Sequence, residues 1–103
     1  MAAIEVTDNR AESRYEARVD GRLAGFAAYR LGTGEHDGEI VFPHTEIDSA
    51  FGGQGVGSAL IRAALDDVAR RGGLRVRPDC PFVAGWLDKH PDYAHLRNDP
   101  APG

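Results

Sequence analysis

The sequence predicts a small α/β domain: a mostly antiparallel, twisted sheet, a central helix entered from a glycine-rich loop, and a short C-terminal helix. Three observations predict it. Arg14–Val19 alternates, with Tyr15, Ala17 and Val19 facing one way and Glu16 and Arg18 the other, and it runs into Asp20-Gly21, a two-residue hairpin signal. Gly52-Gly53-Gln54-Gly55-Val56-Gly57-Ser58 feeds directly into the apolar-periodic Ala59-Leu60-Ile61-Arg62-Ala63-Ala64-Leu65. Cys80-Pro81 then opens a second helix, with proline at the first turn, where its missing N–H does no harm.

In chain order, residues 4–7 are β-branched and apolar ahead of Asp8-Asn9 and form a short strand. The hairpin turn sets a register of Val19 with Arg22, Ala17 with Ala24 and Tyr15 with Phe26. Arg22–Leu31 carries apolar or small residues on both faces, which predicts a central strand covered on both sides. A polar glycine-bearing loop follows, and residues 39–42 resume as strand. Pro43 removes a ladder donor there, so it belongs at an edge, a bulge or a break, and residues 44–48 continue extended beyond it. The helix over residues 55–71 is a rod of about 25 Å. Val56, Leu60, Ala63, Ala64 and Val68 form its buried stripe, widened by Ile61 and Leu65. Asp66 with Arg70 and Asp67 with Arg71 make acid-before-base pairs, and Gly72 caps the end. Residues 74–77 form a last strand. Pro81–Lys89 forms the second helix, on which Phe82, Val83, Trp86 and Leu87 read as core. His90-Pro91 ends it, and residues 98–103 form a frayed tail to a single domain of residues 1–97.

Composition restricts the function. A chain of 103 residues predicts one small domain without a separate substrate domain, and 42% hydrophobic with 27% charged residues predicts a folded one. A net charge of −4 argues against nucleic acid as a partner, because phosphate-backbone binding wants a basic face. Cys80 is the only cysteine, which excludes an internal disulfide and points to a reducing compartment. Residues 1–10 do not read as a signal peptide, and no apolar run is long enough for a membrane span, so the expected location is cytoplasmic.

The glycine loop is the chemical signal. A helix start leaves backbone N–H groups unpaired and pointing one way, and the helix dipole adds partial positive charge, so the stretch is an anion seat that a phosphate can approach closely. A nucleotide P-loop fits Gly52 and Gly57 but has Ser58 where the lysine belongs. The dinucleotide fingerprint fits Gly53 and Gly55 but meets Ser58 at the third glycine, at mid-chain and not after a first strand. What remains is G-x-G-x-G/A opening a helix after antiparallel strands. The bland alternative is a glycine-rich turn that merely starts a helix.

Three segments carry a resemblance: His44-Thr45-Glu46-Ile47, the loop itself, and Pro78-Asp79-Cys80-Pro81-Phe82-Val83 leading to His90-Pro91. With these the chain resembles the short, single-domain GNAT-type N-acetyltransferases, over residues 4–96. The resemblance implies a minimal GNAT-like fold with acetyl-CoA as acyl donor and a primary amine (small amine, lysine or protein N-terminus) as acceptor. It places the pyrophosphate on the amides of Gly53, Gln54, Gly55, Val56, Gly57 and Ser58. The pantetheine would lie along the backbone of Glu46, Ile47 and Asp48, with the acyl chain in a split between that strand and the next. Gly52 stands where the family carries Arg or Gln, which removes one contact to the pyrophosphate. Cys80 matches the candidate catalytic cysteine of the short subfamily.

The residues themselves leave roles open. Cys80 at a helix start, with Arg75 and Arg77 near it in sequence, can have a lowered thiol pKa and act as nucleophile or as acid to the departing thiolate, or it can be a small buried hydrophobe. His44 and Glu46 share one face of a strand, and either is a candidate general base, against a structural histidine at the Pro43 kink. H-x-E without two further cysteines is not a zinc site, and His90 and His95 around Asp92 fit helix-end capping, so no metal is expected. Arg70 and Arg71 can reach a phosphate of the donor, but the helix dipole and their aspartates already account for them. A CoA-binding module without turnover and a small interaction protein with a structural glycine loop are the two other classes.

Overall fold

The computed structural model describes residues 3–98. In order these form β1 (Ile4–Asn9), β2 (Arg14–Val19), β3 (Arg22–Leu31), β4 (Glu39–Ile47), α1 (Val56–Arg71), β5 (Arg75–Arg77) and α2 (Pro81–Lys89), joined by short turns. The strands lie side by side in sequence order across one sheet. The first three pairings are antiparallel and β4 with β5 is parallel. A parallel neighbour needs a crossover, and α1 is that crossover.

The Asp20-Gly21 turn forms with φ of 51° and 78°, both positive as a type I′ turn requires. Val19 faces Arg22 as expected, but a bulge beside Ala17 shifts the rest by one, so Ala17 faces Gly25, Glu16 faces Phe26 and Tyr15 faces Ala27. The extra residue turns Phe26 away from the helices and leaves small Ala24 and Ala27 in the core. At Gly25 a Cβ would lie 2.7 Å from the Glu46 carbonyl oxygen, so β4 can approach only where β3 has no side chain. The strand is not covered on both sides. The helices pack on one face, where Tyr15, Ala17, Tyr29, Ile40 and Phe42 meet Leu60, Leu65 and Val83. The other face is covered by its own long side chains, with the Arg14 guanidinium 4.5 Å from the Phe26 ring centre.

Glu16 sits on that outer face at only 4% exposure. It accepts from Arg14 Nε at 2.7 Å, an Arg18 guanidinium nitrogen at 2.9 Å and Asn9 Nδ2 at 3.2 Å. Burial alone would raise its carboxyl, but these three hydrogen bonds outweigh it and hold the pKa below its ordinary 4.5. A depressed carboxylate stabilises the fold fully above its unfolded pKa and loses that contribution as pH falls through the folded one. Glu16→Gln is therefore expected to cost roughly 1–3 kcal/mol near neutral pH. The difference from the parent should shrink in denaturant melts below pH 4.5, and a constant gap down to strong acid would refute the assignment.

Pro43 sits in a second bulge. Ala28 pairs with His44 and Arg30 with Val41, so Phe42 and Pro43 together oppose Tyr29, and β4 continues through the proline as one strand. α1 buries Val56, Leu60, Ile61, Ala64, Leu65 and Val68. Each of its larger side chains contributes roughly 1.5–3 kcal/mol. Gly72 caps it with φ 73°. Asp67 receives Arg71 at 3.2 Å as expected. Arg70, however, turns to Asp67 and not to Asp66, which instead accepts the Tyr93 hydroxyl at 2.6 Å. Arg71 also reaches Asp8, while Tyr15 donates to Asp67 and Tyr29 to Asp8, each at 2.7 Å. This ring ties α1 to three strands. Asn98 is fastened, its N–H to the Val76 carbonyl at 2.8 Å and its amide to Glu39 at 2.7 Å. The rest of the expected tail, residues 99–103, lies outside the described residues.

Candidate active site

The sheet opens between β4 and β5. Their pairing covers only Glu39 with Arg75, Ile40 with Val76 and Val41 with Arg77. Pro78 then cannot extend the ladder, and the chain turns into α2 with Cys80 N–H on the Phe42 carbonyl at 2.8 Å. Beyond that bond no strand among the described residues pairs with β4 on the side away from β3. Strand backbone alternates, and Asp48 N–H is bonded to the Ala24 carbonyl of β3. Residues 46 and 48 therefore present their backbone to β3, and Thr45 and Ile47 present theirs to the gap. Of the three backbone positions expected to meet the donor, only Ile47 faces it, and Thr45 joins it.

Cys80 stands at the closed end of the gap, 6% exposed, as the N-cap residue of α2. Its Sγ lies 3.6 Å from Thr45 Oγ1. Burial pushes the thiol up; the protonated thiol donates to Thr45 Oγ1, while the Thr45 hydroxyl and the N–H groups of Val83, Phe82 and Thr45 stabilise the thiolate and bring its pKa below the ordinary value of 9.0. The arginines expected to help do not. Arg75 donates to the Arg97 carbonyl at 3.0 Å and Arg77 pairs with Asp79 at 3.2 Å. Thr45 is the residue the sequence reading missed. Period-two alternation was the available signal, since a residue between His44 and Glu46 must point to the opposite face, toward α2.

His44 and Glu46 are together as expected, Nε2 to Oε2 at 3.2 Å, both largely exposed on the outer face, with His44 edge-on to Phe26 at 6.1 Å. They are separated from Cys80 by the thickness of β4. The gap has one catalytic candidate on its helix side and two on its outer side.

The glycine loop lies at the open end. Asp48 closes its start by accepting Ala50 N–H at 2.8 Å. Gly53 and Gly55 take φ of 78° and 77°, where a Cβ is strained. The first rung of α1 is Ala59 N–H to the Gly55 carbonyl at 3.1 Å, and Gly55 brings no side-chain cap. The amides of Val56, Gly57 and Ser58 thus have no acceptor within the helix. Gly57 is helical, and its missing Cβ serves packing, since one there would lie 2.6 Å from Phe82 Cζ. Phe82 itself is not core but 45% exposed. Trp86 is buried as expected, and its Nε1 donates to Ser58 Oγ at 3.0 Å, joining the loop end to α2. His90 stacks on Trp86 at 3.7 Å and bonds the Trp86 carbonyl through Nδ1 at 2.6 Å, which closes the helix end. A cleft of about 610 Å³ between β1 and the end of α1 shares no lining residue with the loop or Cys80.

A strand pair splayed beside a glycine-opened helix matches the GNAT fold. The family model described as GCN5-related N-acetyl-transferase matches residues 14–96, and the chain belongs to that family, an N-acetyltransferase by membership. A search of curated proteins gives no match. Among solved structures, a protein assigned as a GCN5-like N-acetyltransferase from Staphylococcus aureus superposes with a TM-score of 0.71 at 24% identity, over 98% of this chain and 94% of that one. One assigned as a phosphinothricin N-acetyltransferase gives 0.58 at 27% identity, over 77% of this chain and 53% of that one. A ribosomal-protein-alanine N-acetyltransferase from Brucella melitensis biovar Abortus 2308 gives 0.59 at 23%, over 87% and 64%. This chain thus spans less than two thirds of the length of the last two. No helix among the described residues is long and apolar enough to cross a membrane.

Proposed function

We propose that the protein moves an acetyl group from acetyl-CoA to a primary amine, in the cytoplasm. The observation that carries this reading is the alignment of two features along one path: unpaired amides at the start of α1, and a gap in which the Thr45 N–H and hydroxyl converge on Cys80. The pyrophosphate sits on the amides of Gly53, Gln54, Gly55, Val56, Gly57 and Ser58. The pantetheine follows the gap-facing backbone of Ile47 and the Thr45 carbonyl, so the thioester reaches Cys80. The amine enters from the outer face, where the His44 and Glu46 pair takes its proton. Attack on the thioester carbonyl expels CoA as thiolate. Cys80 either protonates that sulfur or, as thiolate, first accepts the acetyl group and passes it on. Thr45 and Ile47 suit the donor because their backbone is turned into the gap, and Val56, Gly57 and Ser58 because their amides have no acceptor within the helix.

The test is thermal unfolding with acetyl-CoA, CoA, ATP and NAD in parallel, followed by acetyl transfer to a panel of amines. A ligand at a hundred times its Kd adds about 2.7 kcal/mol, which raises the midpoint of a domain this size by on the order of ten degrees. Acetyl-CoA and CoA alone are expected to do so. No shift with any of the four would return the loop to a structural turn, and a shift without transfer to any amine would make the protein a binding module.

A further inference from the structure

Where the turn after β1 meets the ends of β3 and α1, a hollow of about 290 Å³ is lined by Arg10, Ser13, Tyr29, Arg30, Leu31 and Arg71. Three of the six are arginines and none is acidic, on a chain whose net charge is −4. Asp8 holds two of the guanidiniums from outside the hollow, Arg10 through Nε at 3.3 Å and Arg71 through a terminal nitrogen. A guanidinium has five N–H donors, so both retain several. Asp67, the other acid on Arg71, is shared with Arg70. Arg30 is exposed and has no ion-pair partner among the described residues. Ser13 takes φ of 52°, and the hairpin's Asp20 is the only other non-glycine among the described residues with positive φ. The Ser13 carbonyl accepts from Tyr29 N–H at 2.9 Å, which fixes the turn against β3, and its hydroxyl has no hydrogen-bond partner among the described residues. Leu31 is left 50% exposed.

We propose that this hollow binds a small phosphate monoester, its dianionic head held by Arg10, Arg30, Arg71 and the Ser13 hydroxyl and its organic part lying against Leu31. Three guanidiniums gathered at one place repel one another, and Asp8 offsets only part of that charge, so the excess suits a dianion better than a single carboxylate. Guanidiniums also match phosphate oxygens in geometry, through parallel N–H bonds. A serine kept in a strained conformation marks a constraint beyond packing, and here the strained residue offers the head its one free hydroxyl. The volume is at the small end for a ligand site, about 300 Å³, and Leu31 gives it an apolar rim. The neighbouring cleft of about 610 Å³ shares Arg10 and Arg71, but Asp8, Asp66 and Asp67 line it too and repel the same anion. Arg71 ends α1, about 22 Å along the helix from Val56. A ligand in the hollow is therefore separate from any ligand on the glycine loop, whatever that loop binds.

The experiment is amide NMR of the full chain at about pH 7.5, where a phosphate monoester carries close to two charges, titrated with phenyl phosphate, inorganic phosphate and benzoate. Phenyl phosphate is expected to shift the Ser13, Arg30 and Leu31 amide signals saturably. It should bind about tenfold or more tightly than benzoate, which has the ring but a single charge. Arg30→Gln should weaken phenyl phosphate by about tenfold or more, the effect of one hydrogen bond between charged groups, and should leave the melting temperature unchanged because the side chain is exposed. Leu31→Ser should weaken phenyl phosphate and leave inorganic phosphate unaffected. Shifts confined to Val56, Gly57 and Ser58 would mean that the glycine loop alone takes phosphate. Equal affinity for benzoate, or undiminished binding in Arg30→Gln, would mean that the arginines attract anions without forming a site. Either result, or no saturable shift at all, overturns the proposal.

Discussion

Cys80→Ser is expected to reduce acetyl transfer by roughly 10²–10⁴-fold, the range general acid or covalent catalysis commands, with CoA affinity little changed. The side chain is small, 6% exposed and remote in sequence from the glycine loop, so serine fills its place without disturbing the anion seat. The thiol's reactivity should also carry the signature of its surroundings. The Thr45 hydroxyl holds the thiol pKa down by donating to the thiolate. Removing that donor in Thr45→Val disfavours the thiolate, so the midpoint of the pH profile for iodoacetamide alkylation should move upward; Thr45→Ser, which keeps the hydroxyl, should restore it. Acetyl-CoA should protect against alkylation. The two routes separate when acetyl-CoA is added without amine. An acetyl group retained on Cys80, read by intact mass, indicates that the thiolate attacks. An unmodified protein that still loses turnover in Cys80→Ser indicates that the thiol donates a proton to the departing CoA. Unaltered turnover in Cys80→Ser would show Cys80 to be packing.

Which parts of this site were legible depended on whether the signal was local. The Asp20-Gly21 turn, the helix opening at the glycine loop and the limits of α2 at Pro81 and Lys89 depend on short-range chemistry, and the structure follows the sequence there. The bulge beside Ala17 was not legible, because it answers to β4, a strand more than twenty residues away whose backbone leaves no room for a Cβ at Gly25. Phe82 read as core from helical spacing, yet its position on α2 turns it over Gly57 to the surface; periodicity fixes which residues share a face, not which face is covered. Cys80 was found from its place before Pro81, and the causes of its lowered pKa were not. They are a threonine thirty-five residues earlier and two backbone amides, where the sequence offered two arginines that bond elsewhere. Long-range hydrogen bonds of this kind leave no pattern in a single chain.

Replacing Gly55 tests the anion seat most directly, and the informative comparison is between Gly55→Asp and Gly55→Asn. Gly55 has φ 77° and ψ 14°, a left-handed conformation that asparagine and aspartate tolerate better than other side chains. No heavy atom lies within 4 Å of a Cβ built there, so neither substitution meets a steric obstacle. Both variants should therefore fold with a similar cost of about 1 kcal/mol, and both side chains can cap α1 by accepting from its first amides. What separates them is charge. Aspartate places a carboxylate among the N–H groups of Val56, Gly57 and Ser58, where it satisfies them and repels a pyrophosphate; asparagine competes for the same amides without the repulsion. At a separation near 4 Å and an effective dielectric of about 20, like charges repel by about 4 kcal/mol, which solvent and salt reduce toward 2–3. Gly55→Asn should accordingly weaken CoA only about two- to threefold and Gly55→Asp by about 10²-fold, a separation of roughly 2 kcal/mol that narrows as salt is raised. Equal losses in the two variants would mean that the loop's shape matters and its field does not, and the pyrophosphate would have to be sought away from the start of α1.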